Sequence, residues 1–145
     1  ACISTLSLHD ALPIYDTEFS LNSLKGQVVL VNLWATWCGP CVKEMPELDQ
    51  LAAEMAGKPF RVLALSQDRG GAAAVTEFFE KNGIEHLDVV LDPRGAMARL
   101  MGARGLPTSF VIDGNGIIQG KLEGIARWDA PAVINYFDGL IAEMS

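Results

Sequence analysis

The sequence predicts one α/β domain in which a central mixed β-sheet is flanked by helices. Short apolar runs rich in β-branched residues alternate with segments of helical periodicity, a pattern typical of parallel strands joined by crossover helices. An Asn-Gly pair at Asn115 and Gly116 then separates two strand-like segments, which predicts an antiparallel hairpin. The length of 145 residues suits a single hydrophobic core.

The first half of the chain predicts two buried strands, each followed by a helix. The run QVVLVNLWA at residues 27–35 is apolar and short, so we interpret it as a buried parallel strand. Apolar residues then recur at helical spacing over residues 40–55. By the same criteria, a second strand is expected over residues 59–66 and a second helix over residues 72–82.

The second half predicts a short strand at residues 88–92, a capped helix, the hairpin and a final helix. Asp92 followed by Pro93 has the pattern of an N-cap with proline in the first turn, so a helix is expected to run to about Met101. The hairpin strands are expected at residues 108–113 and 116–124, and the last helix from residues 129–131 onward.

The composition excludes some functional classes. The formal net charge is -7 at pH 7, so the phosphates of a nucleic acid would be repelled. No apolar run approaches the roughly 18 residues that a membrane-spanning helix needs. The chain does not open with the basic and apolar segments of a signal peptide. Three cysteines are too few for a disulfide scaffold.

Residues 5–14 read TLSLHDALPI, which matches the translation of one frame of a common sequencing adaptor. We therefore interpret residues 1–14 as a non-native segment and residues 15–145 as the domain. A natural tail that resembles the adaptor is the alternative. On the adaptor interpretation, any native signal peptide or anchor is missing, and Cys2 and His9 carry no functional weight.

The stretch WATWCGPC at residues 34–41 carries the chemistry. Cys38 is predicted at the N-cap of the first helix, with Gly39 and Pro40 in the first turn. The open N–H groups and the helix dipole favour a thiolate there, which lowers the pKa of Cys38 and makes it the better nucleophile. Cys41 lies one turn further in and is more shielded. Cys38 should therefore attack a substrate disulfide, and Cys41 should resolve the mixed disulfide.

Two other roles for the cysteine pair are disfavoured. A metal clip of this kind usually needs two more ligands, and the other candidates are Cys2, His9 and His86. A purely structural disulfide would enclose a very small loop and restrain little of the unfolded chain. We therefore expect a redox pair, with no cofactor other than the Cys38–Cys41 disulfide and no metal.

Glu44 lies three residues after Cys41 and hence on the same helix face. A carboxylate there could accept and return the proton of Cys41, and a solvated glutamate is the alternative. Lys43 and Glu47 are expected at the surface, and Trp34 in the core.

Three further residues are expected beside the cysteines. Trp37 directly precedes Cys38 and should line the surface that meets substrate. Pro107 starts a strand, a position that avoids a ladder donor. The bond between Leu106 and Pro107 could be cis, although cis is the minority form.

Three motifs carry a family resemblance: VVLVNLWATWCGPCVKEMPEL, DPRGAMARLMGARGLPTSFVID and GIARWDAPA. With this element order, the chain resembles the thioredoxin superfamily, and within it the TlpA/ResA-like periplasmic thiol-disulfide oxidoreductases. The resemblance runs from about residue 19 to residue 141. It implies a thioredoxin-like fold with an inserted helix-strand unit at residues 72–92.

The resemblance also assigns roles by position. Cys38 corresponds to the exposed nucleophile of the family and Cys41 to its resolving partner. Pro107 corresponds to the cis-proline that faces the pair, and the backbone of Leu106 would pair with an extended substrate segment. Trp37, together with Gly39 and Pro40 of the motif, completes the expected substrate-binding set.

Two positions concern proton transfer. Glu44 falls where the family carries an acidic residue that tunes the pKa values of the cysteines. Cytosolic thioredoxins have a buried aspartate on the preceding strand, and here that position is Asn32. Because an amide cannot take up the proton, Glu44 is the better candidate for proton transfer.

The resemblance implies a protein-disulfide reductase that is periplasmic, or membrane-anchored and facing the periplasm. It would serve cytochrome c maturation or the thiols of oxidase and copper-delivery proteins. The expected partners are protein substrates and an upstream, membrane-bound thiol-disulfide reductase. We expect a monomer that binds no nucleic acid.

Two alternatives stay open. A thiol peroxidase of the same superfamily has a threonine three residues before its reactive cysteine, where this chain has Ala35. A copper-delivery module on the same fold relies on a CxxxC pair and a distant histidine, where this chain has CxxC and, on a predicted loop, His86.

Overall fold

Within residues 24–144, five strands form one sheet in the order β3-β2-β1-β4-β5, and four α-helices cover it. The computed structural model describes residues 24–144, so the interpretation of residues 1–14 as non-native lies outside the described residues. The strands are β1 (Val28–Trp34), β2 (Phe60–Ser66), β3 (Val90–Leu91), β4 (Thr108–Ile112) and β5 (Ile118–Glu123). The helices are α1 (Gly39–Glu54), α2 (Gly71–Asn82), α3 (Ala96–Leu100) and α4 (Pro131–Ala142).

The mixed sheet predicted from the sequence is confirmed. β1 pairs in parallel with β2, which pairs in parallel with β3. β1 also pairs with β4, and β4 with β5, in the antiparallel sense. One edge of the sheet therefore gathers the carboxyl ends of β1, β2 and β3, the start of β4 and the end of β5. We call it the active edge, because the cysteine motif directly follows β1 there.

The central strand β1 supplies both hydrophobic cores. All of its residues are buried, and they alternate between the two faces of the sheet. The even-numbered apolar residues pack with α1, α2 and α4, whereas the odd-numbered ones pack with α3. Asn32 has an even number and is polar, so its side chain meets α1 inside the first core. Among residues 24–144, no helix is long and apolar enough to cross a membrane.

The segment after β3 differs from the prediction. A 3-10 turn at Pro93–Gly95 precedes the short helix α3, where one continuous helix to Met101 was expected. Arg94 has φ 58° and Gly95 has φ 64°, and two successive left-handed residues cannot belong to a right-handed helix. The single predicted helix is therefore wrong at its amino-terminal end.

Asp92 still caps a helix, but the helix is α3. Its carboxylate accepts hydrogen bonds from the backbone N–H groups of Met97 at 2.8 Å and Ala98 at 2.9 Å. The side-chain amide of Gln67 donates a third, at 2.9 Å. The preceding strand is shorter than predicted, because β3 pairs only with the last two residues of β2.

The hairpin prediction is confirmed. β4 and β5 are joined through a turn in which Gly116 adopts φ 83°, a value that favours glycine. The Asp113 carboxylate accepts hydrogen bonds from the backbone N–H groups of Asn115 at 2.9 Å and Ile117 at 3.1 Å, which fixes the turn.

Candidate active site

Cys38 and Cys41 form a disulfide at the start of α1, with their Cα atoms 5.2 Å apart. Cys38 occupies the N-cap position, and its Sγ accepts a hydrogen bond from the backbone N–H of Cys41 at 3.3 Å. Cys38 is 7% exposed, whereas Cys41 is fully buried, so Cys38 is the sulfur more open to a second protein. After reduction, the N–H donor and the helix dipole would both favour negative charge on Cys38.

Two tryptophans flank the loop before the cysteines and occupy opposite environments. Trp34 is fully buried, and its ring stacks on Phe79 of α2 with centroids 5.8 Å apart. Trp37 is 70% exposed and directly precedes Cys38. Both placements match the expectation from the sequence, and Trp37 is a large apolar surface next to the reactive sulfur.

Asp68, just after β2, holds the loop that precedes the cysteines. Its carboxylate accepts hydrogen bonds from the backbone N–H of Thr36 at 3.0 Å and from the Thr36 hydroxyl at 2.5 Å. The hydroxyl of Ser66 donates another, at 2.6 Å. The loops after two parallel strands are thereby joined at the active edge. Sequence reasoning did not single out Asp68, because a contact across 32 residues leaves no local pattern.

Glu44 lies one turn after Cys41 and is 2% exposed, so the alternative of a solvated glutamate is wrong. Its Oε1 accepts a hydrogen bond from Asn32 Nδ2 at 2.9 Å. Its Oε2 accepts one from Trp128 Nε1 at 2.9 Å and one from the Ala126 backbone N–H at 3.2 Å.

Burial raises the pKa of the Glu44 carboxyl above its ordinary value, because the charged form loses its hydration. The hydrogen bonds from Asn32, Trp128 and Ala126 act in the opposite direction but do not cancel this effect. The negative charge of Glu47 raises the pKa a little further. A carboxyl group with a raised pKa is better suited to hold and release a proton near neutral pH.

Asn32 connects Glu44 to β4. Its Nδ2 donates to Glu44 Oε1 and, at 2.9 Å, to the hydroxyl of Ser109, the residue opposite Asn32 in the sheet register. Its Oδ1 is buried and has no hydrogen-bond partner among the described residues. A half-turn about the Cβ–Cγ bond would exchange the amide nitrogen and oxygen, so that Oδ1 could accept from a protonated Glu44.

The two charged neighbours of Glu44 on α1 differ in their environment. Lys43 is exposed, as expected. The Glu47 side chain is only 26% exposed, and one of its oxygens lies 3.4 Å from Nε of Arg127. Glu47 is therefore half-buried, and less exposed than the sequence predicted. The loop after β5, which carries Arg127, partly covers it.

Leu106 and Pro107 lie at the active edge, joined by a cis peptide bond. Thr108 is opposite Leu33 in the antiparallel ladder, so Pro107 stands beside the end of β1. Pro107 is buried and Leu106 is half-buried, whereas Gly39 and Pro40 across the edge are exposed.

Sequence reasoning also missed the loop after β5. Trp128 and the backbone of Ala126 reach Glu44 across more than 80 residues of chain. The available signal was a tryptophan between two charged residues in the segment GIARWDAPA. A buried indole N–H usually has a hydrogen-bond acceptor, and Glu44 is that acceptor.

Among the candidate metal ligands of the sequence, those that the structure describes do not come together as a metal site. His86 lies on a loop, and its Nδ1 is 3.3 Å from Asp49 Oδ2. Cys2 and His9 are outside the described residues. Within residues 24–144, no group of three or more His, Cys, Asp or Glu side chains is arranged to hold a metal ion.

A mixed sheet, a CxxC disulfide at a helix start and a cis-proline at the adjoining strand define a thioredoxin-like fold with a dithiol-disulfide site. The chain belongs to the AhpC/TSA family, whose model matches residues 6–121.

Three known proteins illustrate the similarity. The thiol-disulfide oxidoreductase ResA of Bacillus thuringiensis is 33% identical over 111 residues, covering 74% of this chain and 61% of ResA. The thiol:disulfide interchange protein DsbE of Xylella fastidiosa is 35% identical over 119 residues, covering 81% of this chain and 55% of DsbE. A solved Chlorobium tepidum structure, assigned as a thiol:disulfide interchange protein DsbE, is 32% identical with a TM-score of 0.71, covering 92% of this chain and 91% of that chain.

These similarities confirm the thioredoxin-like fold and the family resemblance inferred from the sequence. The chain spans less than two thirds of the length of these two curated relatives.

Proposed function

We propose that this chain is a thiol-disulfide oxidoreductase that reduces disulfides of proteins outside the cytoplasm. The observation that carries the proposal is the Cys38–Cys41 disulfide at the start of α1, in which Cys38 Sγ accepts the Cys41 N–H. An N-cap sulfur in this position is the group best suited to become a thiolate at neutral pH.

The reaction proceeds by two thiol-disulfide exchanges. The Cys38 thiolate attacks one sulfur of the substrate disulfide, forming a mixed disulfide and releasing the other substrate sulfur as a thiolate. The Cys41 thiolate then attacks Cys38 Sγ, which forms the observed intramolecular disulfide and releases the second substrate thiolate. The substrate gains two electrons, and the cysteine pair loses them.

Glu44 supplies the proton chemistry of the second exchange. Its carboxylate takes the proton from the Cys41 thiol, through direct contact or one water, and returns it to the released substrate sulfur. Its place one turn after Cys41 and its raised pKa both support this role. Asn32 and Trp128 position the carboxylate, since they hydrogen-bond one oxygen each.

The substrate segment that carries the disulfide lies across the active edge. Its backbone pairs with Leu106 in an extended conformation, beside Pro107, as in strand addition. Trp37, Gly39 and Pro40 form the opposite side of this surface, and all three are exposed.

The cellular setting is proposed on the family similarity. The protein acts as a monomer in the periplasm, or anchored to the membrane and facing it. Its substrates are proteins of cytochrome c maturation, or oxidase and copper-protein thiols. A membrane-bound thiol-disulfide reductase returns Cys38 and Cys41 to the dithiol state, and the disulfide itself is the only redox group required.

Insulin reduction with dithiothreitol as electron donor tests the proposal. Cys38→Ser should abolish the catalysed rate, because no other residue supplies the attacking sulfur. The matched control is Cys2→Ser, which removes a cysteine to which we assign no role and should leave the rate unchanged. Full activity in Cys38→Ser would refute the assigned nucleophile. Rapid peroxide consumption by the reduced wild-type protein would instead favour a thiol peroxidase.

A further inference from the structure

A groove of about 730 Å³ lies beside the cysteine motif at the active edge. The loops that follow β1, β2 and β3 form it, and the side chains of Trp37, Arg69 and Arg94 are among its lining residues. Because Trp37 directly precedes Cys38, the groove is continuous with the surface from which a substrate reaches the reactive sulfur. Crevices at the carboxyl ends of parallel strands are common binding sites.

The groove concentrates arginines that have no ion-pair partner in the described part of the chain. Arg69 and Arg94 line it, and both are exposed. Gly95 also lines the groove. Arg99 is close to it, since its Nη1 lies 3.6 Å from the position that a Cβ on Gly95 would occupy. None of these three guanidinium groups forms an ion pair with residues 24–144.

The other arginines of the chain behave differently. Each of them lies against a carboxylate: Arg61 with Asp88, Arg104 with Glu123, and Arg127 with Glu47. Every arginine of the described residues that lies away from the groove is thus paired with an anion. Among the arginines, only those in or beside the groove form no ion pair with residues 24–144, and among the lysines Lys25 and Lys43 form none.

Two carboxylates also line the groove, but their lone pairs are committed to the protein. Asp68 accepts hydrogen bonds from Thr36 and Ser66, and Asp92 accepts from Gln67 and the start of α3. Neither forms an ion pair with the groove arginines. The lining holds two arginines and two aspartates, but Asp92 is buried and Asp68 is half-buried, whereas Arg69 and Arg94 are exposed. Arg99, beside the groove, donates from Nη1 to the backbone oxygen of Arg94.

Arg94 is held in a conformation that an arginine rarely adopts. Its φ of 58° is left-handed, which costs on the order of 1–2 kcal/mol for a residue with a Cβ. The Asp92 hydrogen bonds to Met97 and Ala98 fix the turn in which it lies. A strained residue that is maintained by its surroundings is a reason to look for a function of its side chain.

We propose that this groove binds an acidic segment of the protein substrate. Carboxylates of that segment pair with the guanidinium groups of Arg69, Arg94 and Arg99, an arrangement for which arginine offers two parallel donors. Trp37 packs against the chain between that segment and the substrate disulfide. This inference rests on the proposed function, because the groove is useful only if a second protein approaches Cys38.

Three synthetic disulfide peptides of equal length test the inference. They differ only at two positions near the disulfide, which are both Glu, both Gln or both Lys. With the reduced wild-type protein at low ionic strength, the Glu peptide should have a kcat/KM about fivefold above the Gln peptide, and the Lys peptide should be slowest. The differences should disappear at about 1 M salt, where charges are screened within roughly 3 Å. Equal rates for the three peptides at low salt would overturn the inference.

Two matched double variants test whether the preference for the Glu peptide arises in the groove. Arg69→Gln/Arg94→Gln should abolish the preference for the Glu peptide and leave the rate with the Gln peptide unchanged. Lys58→Gln/Lys81→Gln removes the same charge from two ion-paired residues at the opposite edge and should keep the preference. If the first variant fails to fold, Arg69→Gln/Arg94→Gly replaces it, because glycine suits the left-handed turn. A preference retained in the folded arginine variant would overturn the inference.

The proposed function and the inference fail in different ways. If no peptide is reduced, the proposed function is wrong. In that case the inference is tested separately, by measuring the affinity of the Glu peptide for the oxidised protein by calorimetry. Binding that is several-fold weaker in the arginine variant than in the lysine control supports it, and equal binding overturns it.

Discussion

Glu44 is a carboxyl group surrounded by protein, and its ionised form depends on three donors from distant parts of the chain. Asn32 comes from the central strand, whereas Trp128 and the Ala126 backbone come from the loop after β5. Burial disfavours the charge more than these donors favour it, so the pKa is raised. The ionised carboxylate is therefore kept one turn after Cys41 at a cost in stability, which is what the proposed role in proton transfer requires.

Glu44→Gln should change how stability depends on pH. The folded pKa of Glu44 lies above the ordinary value of 4.5, so between those two values the folded state binds more protons than the unfolded state. The wild-type free energy of unfolding therefore falls as pH rises through this window. Glutamine cannot ionise, so the difference between variant and wild type should grow from about pH 4 and become constant above the folded pKa. Urea unfolding of the oxidised proteins measures it.

Glu80→Gln is the control for this experiment, because Glu80 is exposed on α2. Its stability curve should follow that of the wild type. A curve for Glu44→Gln that also runs parallel to the wild type over the whole range would contradict the raised pKa.

At the scale of elements, the register of β1 and β2 explains how Asp68 reaches Thr36. Trp34 and Ser66 are partners at the ends of the two strands. Thr36 and Asp68 each lie two residues beyond those ends, so the loops meet side by side, and Thr36 donates hydrogen bonds from its backbone N–H and its hydroxyl to the Asp68 carboxylate. The start of α1 is therefore positioned by β2 as well as by β1.

Removing this connection should destabilise the protein. Asp68→Ala leaves the Thr36 N–H and hydroxyl without their acceptor, so we expect a loss of about 1–3 kcal/mol in the free energy of unfolding. Thr36→Val is the matched control. It removes one hydroxyl and keeps the backbone bond, and should cost about 1 kcal/mol. Urea denaturation of both variants provides the comparison. A loss in Asp68→Ala no larger than in Thr36→Val would show that the backbone bond contributes nothing.

Periodicity and turn residues were sufficient to predict most elements, because helices and strands are encoded by local patterns. The turn at Arg94 was not predictable, since nothing in an arginine side chain indicates a positive φ. In the candidate site, the CxxC motif indicated Cys38 and Cys41, helix spacing put Glu44 on the same helix face as Cys41, and the family resemblance favoured its role. Its partner Trp128 is 84 residues away, and only the folded chain brings the two together.

At the scale of the whole molecule, the central strand of the sheet is shielded from solvent, and the edge strand β5 is not. β1 is fully buried and pairs on both sides, whereas β5 is largely exposed and pairs only with β4. The cysteines are attached to the most buried strand, so the reactive geometry depends on the part of the fold that opens least.

Native-state hydrogen exchange should reveal this gradient. The amides of β1 should exchange only through global unfolding, whereas those of β5 should exchange through local opening, at least about tenfold faster. The measurement is exchange of individual amides by NMR at increasing urea concentration. If the amides of β1 and β5 exchange at the same rate and with the same urea dependence, the edge strand β5 does not open separately from the rest of the sheet.

Asn32 Oδ1 has no hydrogen-bond partner among the described residues, so the side-chain amide of Asn32 can rotate without losing a bond to that oxygen. Half a revolution of one amide is enough to present Glu44 with a hydrogen-bond acceptor in place of a donor. Each time the carboxyl group gains or loses its proton, the contact can be remade by a single torsion, without displacement of β1 or α1. The backbone can therefore stay the same whether Glu44 is protonated or ionised. Only the orientation of the Asn32 amide would differ between the two states.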